Sequence, residues 1–187
     1  MSMKDASIIQ YKKELRFKIK QLKRELPEEV KQREVSVVNE ELEQHSSFKD
    51  ATHILMYWAM ADEMSTREFI LKWYRHKKIY LPVVKGDDLE IFLFEGEDSL
   101  VAGEKYGIPE PAGEKLLDES KLDVVIVPGV AFDNQNNRMG RGAGYYDRIL
   151  KRLPTAKKIG LAFGFQMIDE VPVEPHDIPM DVVITGK

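Results

Sequence analysis

Apolar residues at Ile8, Tyr11, Leu15, Ile19, Leu22 and Leu26 recur every three or four positions among lysines and glutamates, a spacing that predicts an amphipathic helix ended by Pro27. Pro27 also opens a second helix: Glu28 and Glu29 suit its positive end, and Val30, Val35, Val38 and Leu42 supply its apolar side. The pattern then changes. Thr52 to Tyr57 reads as the first strand, Thr66 as the cap of a helix carrying Phe69, Ile70, Trp73 and Tyr74, and residues 78–82 as a second strand. Residues 89–94 alternate less cleanly behind the turn Gly86-Asp87-Asp88 and predict a hairpin edge, whereas Tyr106 to Pro111, with its prolines, reads as loop. Asp123-Val124-Val125-Ile126-Val127 lacks any polar alternation and predicts a strand covered on both faces. A glycine-rich stretch, a helix from Tyr145 to Leu153 and strands at 158–162 and 181–185 follow.

Strands separated by helices imply right-handed βαβ units, so the expected fold class is α/β: a three-layer αβα sandwich with a mostly parallel central sheet and two N-terminal helices. A chain of 187 residues, without repeats or low-complexity linkers, is expected to form one domain, 1–187. Hydrophobic residues at 43% and charged residues at 32% describe a globular chain and exclude a disordered one. The absence of cysteine excludes disulfides, thiolate catalysis and zinc-thiolate sites. No apolar run is long enough for a membrane span, and the mixed charges at the start do not form a signal core, so a cytoplasmic protein is expected. The sequence does not fix an oligomeric state, and a monomer is favoured.

A net charge of −4 argues against nucleic acid as a partner, so any anion site has to be local. Residues 138–148 provide such a place, with three arginines against one aspartate. Pro128-Gly129-Val130-Ala131-Phe132-Asp133 and Arg138-Met139-Gly140-Arg141-Gly142-Ala143-Gly144-Tyr145-Tyr146-Asp147-Arg148 join the buried strand to the next helix. Glycines let backbone approach an anion, a helix start presents unpaired N–H groups, and guanidinium forks grip phosphate oxygens. The glycines alone are equally compatible with a turn that merely relieves backbone strain. The arginines, together with Asp147 as a carboxylate able to hold Mg2+ beside phosphates, favour the anion site.

These motifs resemble those of the 5-formyltetrahydrofolate cyclo-ligase family, also called 5,10-methenyltetrahydrofolate synthetases. The likeness extends to Lys12-Lys13-Glu14-Leu15-Arg16, to Glu63 in Asp62-Glu63-Met64-Ser65-Thr66, and to Leu81-Pro82, Ile108-Pro109-Glu110-Pro111 and His176-Asp177 in the expected order. Asn137 stands where the family often has glycine, a change that left-handed backbone tolerates. Ala143 stands where glycine or lysine is usual, so no side-chain phosphate contact is expected there. The resemblance implies ATP- and Mg2+-dependent ring closure of 5-formyltetrahydrofolate: the γ-phosphoryl group passes to the formyl oxygen, nitrogen 10 attacks, and ADP and phosphate leave. It implies that Lys12, Arg16 and residues Arg138, Met139, Gly140, Arg141, Gly142, Ala143, Gly144, Tyr145 and Tyr146 bind ATP. Asp147 then holds magnesium, Arg141 follows the moving phosphoryl group, and Glu63 accepts pterin hydrogen bonds beside an aromatic wall of Trp58 or Tyr145.

Without the resemblance several of these residues read otherwise. Lys12 and Arg16 belong to a helix crowded with lysines, whose face is ordinarily solvated, and Trp58 beside an apolar strand is ordinarily packing. His176-Asp177, between prolines, reads as a rigid turn fixed by side-chain hydrogen bonds rather than a catalytic relay. Tyr106 and Glu110 read as cover for the sheet, and Phe163-Gly164-Phe165-Gln166 as a strand-end turn. Two rival functions stand beside the cyclo-ligase: a small-molecule kinase or sugar-phosphate enzyme using the same anion loop, and, against the acidic charge balance, an RNA-binding module that stacks bases on Tyr145 and Tyr146.

Overall fold

The computed structural model describes the backbone of residues 3–103, 105 and 107–186, with side chains from residue 7 onward. Tyr106 therefore lies outside the described residues. The chain runs α1 (Met3–Glu25), α2 (Glu28–Gln44), α3 (Ser46–Asp50), β1 (His53–Leu55), α4 (Arg67–Trp73), β2 (Lys78–Lys85), β3 (Asp88–Leu93), β4 (Leu100–Ala102) and β5 (Pro109–Pro111). It continues through β6 (Val124–Val127), β7 (Ala131–Asp133), β8 (Arg138–Met139), α5 (Tyr145–Arg152), β9 (Lys157–Ala162), β10 (Met167–Ile168) and β11 (Val182–Thr185).

The central sheet has the order β11-β9-β6-β1-β2-β3, parallel throughout except for the β2–β3 hairpin at one edge. Its middle strand explains the unbroken apolar run: Val124 and Ile126 join one core with Phe48, Phe69 and Ile70, while Val125 and Val127 join another with Ile149, Leu150 and Leu153. Helices α2, α3 and α4 thus cover one face and α5 the other, and the α/β sandwich expected from the sequence is the fold observed. None of the described helices is long and apolar enough to cross a membrane.

Four local expectations need correction. Helix α1 lies outside the sandwich layers, on a small sheet β10-β7-β8, where Leu15 and Ile19 pack with Val130, Ala131, Met139 and Val171. Tyr11, placed on its apolar stripe by spacing, is 50% exposed, because a helix resting on a three-stranded ribbon buries a narrower strip than one lying on a broad sheet. Thr66 gives no side-chain cap to α4; its buried hydroxyl donates instead to the Tyr57 carbonyl. Within the expected loop at 106–111, Pro109–Pro111 pairs antiparallel with β4, because proline still serves an edge strand, and Glu110 accepts from the Val84 N–H.

Between β6 and α5 the chain is not a simple loop. It first makes the hairpin β7–β8, whose tip is tied by the buried Asp133: its carboxylate accepts from the N–H groups of Gln135, Asn137 and Val171 and from the Asn137 side chain. The left-handed residue at this tip is Asn136, with φ 63°, and not Asn137, which has become one of the donors. Phe132 fills the space left by Gly129 and Gly160, where a Cβ would stand 2.4 Å and 2.6 Å from its ring. Gly160→Ala is expected to cost about 1–3 kcal/mol through overpacking. In urea denaturation, Gly160→Ala/Phe132→Leu should lose less than the sum of the two single variants, and strict additivity would disprove the contact.

Candidate active site

A cavity of about 390 Å3 opens at the carboxyl ends of β1 and β6, where ligands collect in parallel α/β sheets. Every residue assigned to the site from the sequence lines it: Lys12 and Arg16 from α1, Trp58 and Glu63 from the loop after β1, Arg138 and Met139 from β8, residues 140–144, and Tyr145, Tyr146 and Asp147 from the start of α5. Residues that the sequence did not assign to the site line it too, among them Glu174, His176, Asp177 and the apolar Leu81, Val84 and Ile108.

The glycine loop is stretched between two anchors. Arg138 is buried, and its Nη2 lies 2.6 Å from Asp147 Oδ1 in the first turn of α5, where the helix dipole also favours a carboxylate. Gly142 at φ 104° and Gly144 at φ 71° take backbone angles that side chains resist, whereas Ala143 needs no such angle. Arg16 crosses from α1 to donate to the Gly140 carbonyl at 2.9 Å, and Arg148 donates to the Ala143 carbonyl at 3.0 Å. Met139 is turned into the core behind the loop, so only its backbone is available to a ligand, and its carbonyl already accepts from the Val130 N–H.

Two buried polar atoms of lining residues, Arg138 Nε and Tyr146 Oη, have no hydrogen-bond partner. Burial pushes the Tyr146 hydroxyl far above its ordinary range, and Glu63 adds to the rise, so it stays protonated. Both atoms are donors.

Lys12 is buried on the opposite wall between two carboxylates, 2.8 Å from Glu174 Oε2 and 2.9 Å from Asp177 Oδ2. Glu174, His176 and Asp177 bring ligand atoms within 4.8 Å of one another, a donor set that could hold a metal ion, and the lysine ammonium shows that the carboxylate pair accepts a cation. The turn reading of His176-Asp177 holds in part. Asp177 accepts from the Glu174 N–H as a turn residue should, yet it also faces the cavity. Sequence reasoning assigned Lys12 a bare ligand role and missed its acidic partners, which lie about 160 residues away, beyond the reach of any spacing rule.

Arg141 reaches across the mouth to Asp62 at 2.6 Å and Glu63 at 3.2 Å. Burial would lower its pKa, but these two acids outweigh that and raise it, so its charge is fixed. Trp58 is buried against Phe94, with the Arg67 guanidinium 5.3 Å from its ring centre, and lines the cavity. Tyr145 lies between the cations of Lys105 and Arg148.

A mostly parallel sheet thus carries a guanidinium-and-glycine loop, a buried lysine and a carboxylate cluster around one cavity. The chain belongs to the 5-formyltetrahydrofolate cyclo-ligase family, whose model matches residues 8–186. It is 32% identical over 145 residues to the 5-formyltetrahydrofolate cyclo-ligase of Haemophilus influenzae, spanning 74% of this chain and 78% of that one. Against the mouse 5-formyltetrahydrofolate cyclo-ligase it is 29% identical over 187 residues, covering 92% of each. The solved structure of Aquifex aeolicus 5,10-methenyltetrahydrofolate synthetase superposes with a TM-score of 0.85 at 34% identity, over 94% of this chain and 90% of that one.

Burial alone would raise the Asp177 carboxyl, but the Lys12 bond, the Glu174 N–H and neighbouring charge hold it below its ordinary value. Its contribution to stability is therefore present above the ordinary aspartate value of about 3.9 and lost as pH falls through the lower folded value. In Lys12→Met the two acids lose the ammonium between them and keep only the more distant Arg16 charge, so protonation relieves them instead. Thermal melts should show the gap between wild type and Lys12→Met narrowing as pH falls from about 7 to about 3. A gap independent of pH would mean that Lys12 contributes packing alone.

Proposed function

We propose that this chain is an ATP-dependent 5-formyltetrahydrofolate cyclo-ligase in which the residues lining the cavity divide between the two substrates. The observation that carries the division is Arg141. One guanidinium joins the glycine loop, suited to phosphates, to Glu63, suited to the donor edge of a pterin. The reacting γ-phosphoryl group and formyl oxygen have to meet at such a junction.

The formyl oxygen of an amide-like group leaves poorly. Transfer of the γ-phosphoryl group to it forms an O–P bond as the bond to ADP breaks, and nitrogen 10 then attacks the activated carbon and releases its proton to the departing phosphate or to water. Phosphate departs with the former formyl oxygen, and the five-membered ring of 5,10-methenyltetrahydrofolate is closed. Such chemistry asks mainly for alignment and for charge that follows the phosphoryl oxygens. Lys12, Arg16, the backbone N–H groups of the loop and Arg141 supply that charge, and the apolar side near Leu81, Val84 and Ile108 excludes water from the intermediate.

Magnesium fits this site, because carboxylates flank the phosphate space on two sides: Asp147 on α5, and the Glu174-Asp177 pair that already accepts an ammonium ion. When bound, it neutralises phosphate oxygens and orients them. Asp147 remains the ligand implied by the family motif, and Asp177 is the residue that the geometry adds to it.

Purified protein mixed with 5-formyltetrahydrofolate, ATP and magnesium should develop the near-ultraviolet absorbance of the methenyl product; ATP turnover without that chromophore would favour a kinase. Arg141→Ala should lower kcat by about 10²–10³-fold with little change in melting temperature, as expected for the loss of one donor to developing charge. Asp147→Asn should raise the magnesium concentration needed for half-maximal rate. Circular dichroism must show that the fold survives loss of the Arg138 partner, and an unchanged magnesium dependence in a folded variant would reassign the ligand.

A further inference from the structure

We propose that the Arg141–Glu63 ion pair couples the binding of the two substrates, and that Asp62, backed by Lys23, is the positioning residue that parks Arg141 across the cleft mouth. This inference rests on the folate and nucleotide reading above.

Glu63 is nearly buried, and its Oε2 is fixed by the Met60 N–H at 3.0 Å. Its other oxygen, Oε1, is taken by Arg141, with bonds of 3.3 Å to Nε and 3.2 Å to Nη2. A pterin's N–H donors need that same oxygen. A polyphosphate held in the glycine loop needs the same guanidinium, and a multiply charged phosphate attracts it more strongly than one carboxylate does. Each substrate therefore removes the other's competitor.

Release of Arg141 does not strand Asp62. The Asp62 Oδ1 holds Arg141 at 2.6 Å, while its Oδ2 lies 3.5 Å from Lys23 Nζ on α1, a side chain only 8% exposed. Burial is the main influence lowering the Lys23 pKa; the Asp62 charge opposes it and Arg141 repulsion adds to it. Departure of Arg141 thus strengthens the remaining Lys23–Asp62 pair. After the exchange every charge keeps a partner: Arg141 the phosphates, Asp62 the lysine, Glu63 the pterin. The pairing within the chain itself has its shortest bond to Asp62.

The test is calorimetric titration with 5-formyltetrahydrofolate at saturating magnesium, with and without β,γ-imido-ATP. For wild type the analogue should tighten folate binding by at least about fivefold, and folate should tighten nucleotide binding by the same factor, since coupling is reciprocal. In Arg141→Ala, whose half-exposed side chain leaves the core intact, nucleotide-free folate affinity should rise toward the loaded wild-type value and the analogue should no longer alter it. Asp62→Asn should tighten nucleotide binding to folate-free enzyme and lower the coupling factor, whereas a purely structural role would change only the melting temperature. Wild-type turnover with a coupling factor of one, or full coupling retained in Arg141→Ala, overturns this inference alone. Failure of wild type to bind folate or to form the methenyl product overturns the functional reading and this inference with it.

Discussion

The bond between Arg138 and Asp147 is the constraint on which the site depends. One partner ends the hairpin β7–β8 and the other begins α5, so the pair fixes the two banks between which residues 140–144 are strung. Removing one member would leave a buried charge unmatched, at a cost of about 3–5 kcal/mol in comparable cases, and the loop would lose its span before it lost its sequence. The glycines then act within a frame that is already rigid. Gly142 and Gly144 supply turns that other residues resist, and Arg16 and Arg148 hold carbonyls on either side.

The cleft's cations are paired with carboxylates of the chain itself. Lys12 lies between Glu174 and Asp177, Arg138 on Asp147, and Arg141 on Asp62 and Glu63. This suits an acidic chain that has to receive a highly charged nucleotide. Isolated buried cations would be costly, and exchangeable partners let the cations stay charged while the cavity is open to water. The partners come from distant parts of the chain, so the electrostatics of the site exist only once the fold is complete.

Much of this architecture was legible from residue order. The run 123–127 announced a strand covered twice, and the alternate membership of Val124 and Val125 in opposite cores is that statement made in three dimensions. Of the four apolar residues that spacing gave to α2, Val38 and Leu42 are buried, whereas Val30 and Val35 are only partly so. Residue chemistry pointed to an anion loop at 138–148, and family likeness added Lys12, Arg16 and Glu63; all of them meet around one cavity. What escaped was whatever depended on non-local partners. Nothing in the local pattern tells that Lys12 is enclosed by acids from residues 174–177, or that α1 rests on a ribbon instead of the main sheet. The hairpin β7–β8 was hidden because each strand is only two or three residues long, too short for alternation to register. Its one local clue was Asp133, two residues before a backbone N–H that it binds, the signature of an Asx turn.

The placement of α1 has a corollary for the wholeness of the catalyst. Its apolar contacts are with the β10-β7-β8 ribbon through Leu15 and Ile19, its polar ones are with the cleft through Lys12, Arg16 and Lys23, and it joins the rest of the chain at the exposed Pro27. Lys12, Arg16 and Lys23 all ride on this one helix, whose packing is separate from that of the six strands of the main sheet. The molecule's tool arm and its chassis are thus separate pieces.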